Sequence, residues 1–223
     1  MSSIKGKLVR LVSRVALDRA TVVSAESIGG FRRLLLQTSA QTAAAGTKLQ
    51  LLLPTDDVRT YTPIATPEGI VLLGWMHAGG PGARWMTNAR AGDVLPFVGP
   101  QRSLVLDAGP VVLVGDETSV AVAAAFAVER PGQVHAVIQA DAAADVPAAA
   151  ASVGLTSIDV VARRDTAATI EAVQSFLAQT PNAVVALTGG AELIVAARDE
   201  LRRAGVTNLK GKAYWIPGRA GLD

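Results

Sequence analysis

Four consecutive residues, Arg59-Thr60-Tyr61-Thr62, put three kinds of chemistry into one short stretch just before Pro63. In extended chain Arg59 and Tyr61 face one way and Thr62 the other. A guanidinium can clasp a phosphate through two parallel hydrogen bonds. A phenol ring can stack on a flat heterocycle, and a threonine hydroxyl can donate to a ring nitrogen. A surface Arg beside a packed Tyr is the plainer reading, and the tetrad alone does not choose between the two.

A second constellation follows within about twenty residues: Met76-His77-Ala78-Gly79-Gly80-Pro81-Gly82-Ala83-Arg84-Trp85. A strand ends here, two glycines open a tight turn, and Pro81 suits the first position of a helix. The amides of Gly82, Ala83 and Arg84 would then stand free at a helix N-terminus, which favours an anion. Gly82 has no side chain to keep a pyrophosphate away from the backbone. Trp85 is expected to pack this helix onto its neighbours. His77 either faces the ligand or caps the strand end.

Composition narrows the rest of the chemistry. The 223-residue chain has no Cys, which excludes disulfides, thiolate catalysis and Cys-ligated metal centres. Its two His, His77 and His135, lie far apart in sequence, so no metal site is expected. With 21 basic against 19 acidic residues the net charge is only +2, which argues against a nucleic-acid partner. No apolar run is long enough for an integral membrane segment, and no secretory signal pattern is visible, so a cytoplasmic protein is the expectation.

These residues need elements to position them. Residues 4–19 read as a short amphipathic helix, with Ile4, Leu8, Leu11, Val12 and Val15 on one face. From there to about residue 108 the texture is that of short strands punctuated by turns: 20–28, 31–38, 48–53, 69–76 and 93–98, the last closed by Gly99-Pro100, with one brief helix at 83–89. This fits a small antiparallel barrel. From residue 109 apolar strands at 111–114, 134–139, 157–161 and 183–187 alternate with helices at 119–129, 169–177 and 192–204. That alternation predicts a parallel sheet covered on both faces. Residues 140–151 are compatible with a helix or a loop.

Several weak motifs run in one order. An R-x-Y-T strand precedes a strand-end His and G-G-P-x-x-R-W; Gly92-Asp93, Gly99-Pro100-Gln101-Arg102-Ser103, Val114-Gly115-Asp116-Glu117-Thr118 and Ala213-Tyr214-Trp215-Ile216-Pro217-Gly218 follow. Together, over about residues 20–219, they resemble the siderophore-interacting protein family, FAD-dependent ferric-siderophore reductases of the ferredoxin-reductase-like superfamily. The resemblance implies a six-stranded FAD-binding β-barrel (20–108) followed by a nicotinamide-binding-like α/β domain (109–223). Arg59 would hold the FAD phosphates, Tyr61 would stack on the isoalloxazine, and Thr62 would bond near its reactive nitrogen. Gly82, Ala83 and Arg84 would cradle the pyrophosphate; Asp116, Glu117 and Thr118 would border the cofactor cleft; Tyr214 and Trp215 would end the last strand near the flavin. Electrons would pass from NAD(P)H, or from ferredoxin, to a ferric siderophore or other ferric chelate, releasing Fe(II). A flavin reductase with a different acceptor and a non-catalytic FAD-binding protein are the alternatives.

The chain departs from the family's pattern in places. Ile64 stands where a second Arg is usual, Gly82 where Ala is frequent, and Ile216 where Arg is usual. Two carboxylates, Asp116 and Glu117, start a helix where a dinucleotide would set its pyrophosphate; helix capping is their alternative reading. Gly189-Gly190-Ala191 is a second approach to a nicotinamide, or a tight turn. Arg163-Arg164 would pair with a 2′-phosphate or simply be solvated. Lys210, Lys212 and Arg219 are the basic residues placed to meet an acidic substrate, with ordinary surface charge as the other reading. The oligomeric state is not legible.

Overall fold

The computed structural model describes residues 17–39, 43–76 and 79–218. The helix expected at 4–19 falls almost wholly outside these residues, as do His77 and Arg219. Asp18 and Arg19 belong instead to the first strand.

Seven antiparallel strands form the first sheet: β1 (Asp18–Ile28), β2 (Phe31–Thr38), β3 (Thr47–Leu52), β4 (Val58–Tyr61), β5 (Pro63–Thr66), β6 (Gly69–Trp75) and β7 (Val94–Arg102). Their order is β4-β3-β7-β1-β2-β6-β5. The two outermost strands, β4 and β5, are consecutive in the chain and separated only by Thr62. The chain itself thus joins the two ends of the sheet, and β4–β5 taken as one bent strand gives the expected six-stranded barrel. Leu34, Leu36, Leu49, Leu51, Leu72 and Phe97 fill the interior. β7 runs on through Gly99-Pro100 to Arg102 rather than stopping at 98. Gly99 and Pro100 together stand opposite Leu49 of β3, a bulge in β7 that accommodates the proline without ending the strand.

Among the described residues the barrel segment of the chain contributes one helix, α1 (Pro81–Asn88), with Pro81 in its first turn. Its C-terminal end is held by Arg32 of β2, which donates to the carbonyls of Met86 (3.3 Å) and Ala89 (3.1 Å). A guanidinium there satisfies carbonyls the helix leaves unpaired and suits the negative end of its dipole.

The second sheet is parallel, in the order β10-β9-β8-β11-β12. It comprises β8 (Val111–Asp116), β9 (Val134–Ala140), β10 (Ile158–Ala162), β11 (Val184–Gly190) and β12 (Leu209–Trp215), with helices α2 (Val120–Glu129), α3 (Asp145–Ala151), α4 (Thr166–Gln179) and α5 (Ala191–Arg203) between them. The open segment 140–151 therefore ends in a helix. β8 and β11 are buried at every position, the mark of central parallel strands. Strand order reverses between β8 and β11, the place where open α/β sheets form a crevice at the carboxyl ends of their strands.

The two sheets share apolar packing. Residues Val120 to Phe126 of α2 are all buried, because the helix is covered by its own sheet and also by the barrel. One cluster joins Phe31, Ile64, Val71 and Leu73 of the barrel to Leu104 and Leu106 of the connecting segment and to α2 and α3. The segment is pinned along its length. Ser103 and Leu104 donate their amides to the Gly46 carbonyl (2.8 and 2.9 Å). Arg130, at the end of α2, donates to the carbonyls of Leu106 (3.2 Å), Asp107 (2.9 Å) and Gly109 (3.1 Å) and lies over the Phe126 ring. The β1–β2 turn is tied down as well, the Gly30 amide donating to Asp145 of α3 at 2.9 Å.

Candidate functional site

Two clusters of the expected residues form, one on the barrel and one at the strand ends of the α/β sheet. On the barrel, Arg59 and Tyr61 project from β4 toward the start of α1. A Cβ added to Gly82 would stand 2.8 Å from the Tyr61 hydroxyl oxygen and 3.4 Å from Arg59 Cγ. The phenol and the guanidinium stem therefore lie directly on the helix's second residue, and a Cβ there would have to push the phenol oxygen aside. The Arg59 guanidinium is steadied by its own strand, through the Val58 carbonyl (2.7 Å) and Asp57 (3.4 Å), and stays a quarter exposed. Burial pushes the Tyr61 phenol well above its usual range, against the opposing pull of Arg59. Its ring meets Trp85 at 5.9 Å in a tilted pair, and Trp85 packs on the barrel core as expected.

The amides expected to be free at the helix start are so with one correction. The intrahelical ladder begins with the Arg84 amide donating to the Gly80 carbonyl (3.0 Å), so that amide is spent. Among the described residues no side chain caps this end, and the Gly82 and Ala83 amides precede the ladder. The Arg84 side chain instead curls onto the Gly79 carbonyl. Gly92-Asp93 proves to be a structural turn: its backbone bonds to Val22 on both sides, and the Asp93 carboxylate accepts the Arg90 amide.

Ile64 resolves differently from its sequence reading. Its side chain is fully buried in the packing shared with α2. The position points away from solvent, so the family's second Arg has no counterpart surface to serve here.

At the strand ends the expected Asp116, Glu117, Thr118 and Trp215 do meet, but with their polar groups engaged. Asp116 is 1% exposed. One carboxylate oxygen accepts the Thr118 amide (3.0 Å) and hydroxyl; the other accepts the Gly190 amide (2.8 Å) and the Trp215 indole N–H (2.8 Å). Glu117 is also buried, accepting the Asp141 amide (3.1 Å) and pairing with Arg163. Arg163 bonds Asp141 as well. Burial lowers its pKa, but hydrogen bonds and charge from Glu117 and Asp141 outweigh that and raise it. It is thus an internal pairing residue rather than a solvated one, while Arg164 is exposed with its amide on Gln139. Burial pushes the neighbouring Tyr214 phenol up to about 12, with the Ser103 hydroxyl opposing.

Of the basic substrate candidates among the described residues, Lys210 stands apart from this cleft. Lys210 sits at the start of β12, the opposite end from Trp215, and lies 3.9 Å from Asp107. Lys212 is half-buried midway along the strand. Residues that sequence reasoning missed are the positioning ones. Arg32 and Arg130 act by donating to backbone carbonyls remote in sequence, and a single Arg carries no local signal of that.

No protein-family model and no curated protein matches the chain. Solved structures do. The siderophore-interacting protein SipS from Aeromonas hydrophila shares 21% identity at a TM-score of 0.67, over 91% of this chain and 92% of that one. A siderophore utilization protein from T. fusca shares 22% identity at 0.63, over 93% and 95%. A ferredoxin-NADP+ reductase from Plasmodium falciparum shares 10% identity at 0.70, over 89% and 96%. The fold is therefore the ferredoxin-reductase-like pairing of an antiparallel barrel with a parallel α/β sheet. Within it, siderophore-interacting proteins are among the structural neighbours, in agreement with the motif resemblance.

Proposed function

We propose that the chain is an FAD-dependent electron-transfer oxidoreductase, with residues 20–108 as the flavin domain and 109–223 as the α/β domain. The observation that carries this reading is the convergence of Arg59, Tyr61 and Gly82 on one uncapped helix start. Arg59 would take the FAD phosphates bidentately, and the Gly82 and Ala83 amides would receive pyrophosphate oxygens at the positive end of α1. Tyr61 would orient the ring system, and Thr62, at the junction of β4 and β5, would donate near its reactive nitrogen. His77 is retained as a candidate neighbour of the flavin. When bound, FAD supplies the chemistry of accepting a hydride and releasing electrons singly; the protein's share is binding, orientation and exclusion of water.

The donor in this reading is NAD(P)H or a reduced ferredoxin, and the acceptor a chelated ferric ion such as a ferric siderophore, reached by Lys212 and Arg219. A different acceptor is the second reading. It is favoured by the position of Lys210, which pairs with Asp107 far from Trp215. Titration of the purified protein with FAD, followed by visible absorbance, tests the core of the proposal: saturable binding is expected, and a protein that acquires no flavin spectrum refutes it. Anaerobic mixing of the yellow protein with NADH, NADPH or reduced ferredoxin should bleach the flavin with at least one donor. Reoxidation by cationic and anionic ferric chelates then ranks acceptors, and no faster reoxidation by any of them than by buffer refutes ferric reduction.

A further inference from the structure

The strand–helix turn after β8 is the place where an α/β sheet of this kind takes a dinucleotide pyrophosphate, on free backbone amides and in room left by glycines. In this chain both are used up by its own side chains. The Thr118 and Gly190 amides, one at the start of each helix flanking the crevice, donate to the two oxygens of Asp116. With the Thr118 hydroxyl and the Trp215 indole added, the carboxylate has four donors, about the capacity of its lone pairs. Space is filled in the same way. A Cβ at Gly115 would strike Ser119 Oγ at 2.1 Å, one at Gly189 would strike the Asp116 carboxylate at 2.6 Å, and one at Gly190 would strike the Trp215 ring at 2.6 Å. Ser119 and Thr188, both wholly buried, close the base with a 2.8 Å hydrogen bond. Glu117 adds a second buried carboxylate beside the first.

We infer that Asp116 is an internal anion that occupies the pyrophosphate position of this turn and fixes Trp215 as a static wall, making it the residue that bars a dinucleotide from the ends of β8 and β11. An incoming diphosphate would have to evict a desolvated carboxylate from four donors and would face its charge while doing so. Whatever reduces the flavin is therefore recognised outside this turn. The inference rests on the reading of the chain as a flavin reductase, but it concerns a different set of atoms.

The test is a titration of the FAD-loaded, 15N-labelled protein with ADP-ribose to about 10 mM, the range in which even weak sites show. The Thr118 and Gly190 amides and the Trp215 indole N–H are expected not to move. Saturable shifts of these signals in the wild-type protein overturn the inference. Asp116→Gly, which frees both amides and opens space, should bind ADP-ribose at least about tenfold more tightly than wild type, the worth of one charge-assisted hydrogen bond. A folded Asp116→Gly with no gain also overturns it. Asp116→Asn keeps the shape and covers the case in which the glycine variant does not fold. It should speed exchange of the Trp215 indole proton about tenfold, and an unchanged rate overturns the positioning role. FAD binding is read separately by visible absorbance, so failure of the flavin reading and failure of this inference give different results.

Discussion

Replacing Ile64 with Arg sets two accounts of the cofactor site against each other. If position 64 lined the FAD site, the substitution would add a phosphate contact and tighten binding. The structure predicts damage. Ile64 is 0% exposed and packs from β5 onto α2 within the shared core. Losing its burial costs about 2–3 kcal/mol, and a guanidinium left there unpaired costs several kcal/mol more. The sum, about 5 kcal/mol or above, approaches the whole stability of an ordinary domain, about 5–15 kcal/mol. Urea denaturation followed by far-ultraviolet circular dichroism should therefore show Ile64→Arg largely unfolded or with a greatly lowered midpoint. The Ile64→Val control should lose only about 1 kcal/mol. FAD titration completes the comparison. An Ile64→Arg protein within about 1 kcal/mol of wild type, binding FAD more tightly, would refute the placement of this side chain.

Other outcomes follow from the same packing. The chain's only two tyrosines, Tyr61 and Tyr214, both have raised pKa values in the folded state, Tyr214 at about 12. The stability this represents is fully present below the unfolded value near 10 and is lost as pH rises toward 12. Phenolate absorbance near 295 nm should thus be nearly absent from the native protein at pH about 10.5 and appear on unfolding; ordinary titration at pH 10 would contradict it. Gly82→Ala, despite a helix propensity gain of up to about 1 kcal/mol, places a methyl against the Tyr61 hydroxyl and should weaken FAD binding about tenfold in an absorbance titration. Arg130→Ala releases three backbone carbonyls of the connecting segment and should cost about 2–3 kcal/mol in urea denaturation.

The alternation of strand and helix in the second half was plain in the sequence, because fully buried parallel strands read as unbroken apolar runs such as Val111-Val112-Leu113-Val114. The barrel was legible from its turns, and the meeting of Arg59, Tyr61 and Gly82 from their residue types. Three things were hidden, each for a physical reason. Pro100 looks like a strand end because proline lacks a ladder donor, yet a bulge in β7 at Gly99-Pro100, opposite Leu49 of β3, carries the strand past it. Ile64 looked like a lost cofactor contact because sequence does not tell which face of a strand meets a second domain. Asp116 and Glu117 read as repulsive neighbours of a ligand or as helix caps; Asp116 does cap its turn through the Thr118 amide, but the remaining partners, Gly190, Trp215, Asp141 and Arg163, arrive from distant strands and strand ends. A satisfied buried carboxylate and a ligand-facing one have the same local sequence.

The apolar cluster running from Phe31 and Ile64 through α2 bears on how the protein comes apart. Two domains joined by a solvated linker melt independently, each with its own transition. Here neither half can lose its structure without baring the other's α2-facing side chains to water, so the free energies of the halves are coupled. Heating or denaturant should drive a single cooperative transition reported alike by barrel and α/β probes. A chain cut at residue 108 would yield two pieces, each with an apolar face that invites aggregation.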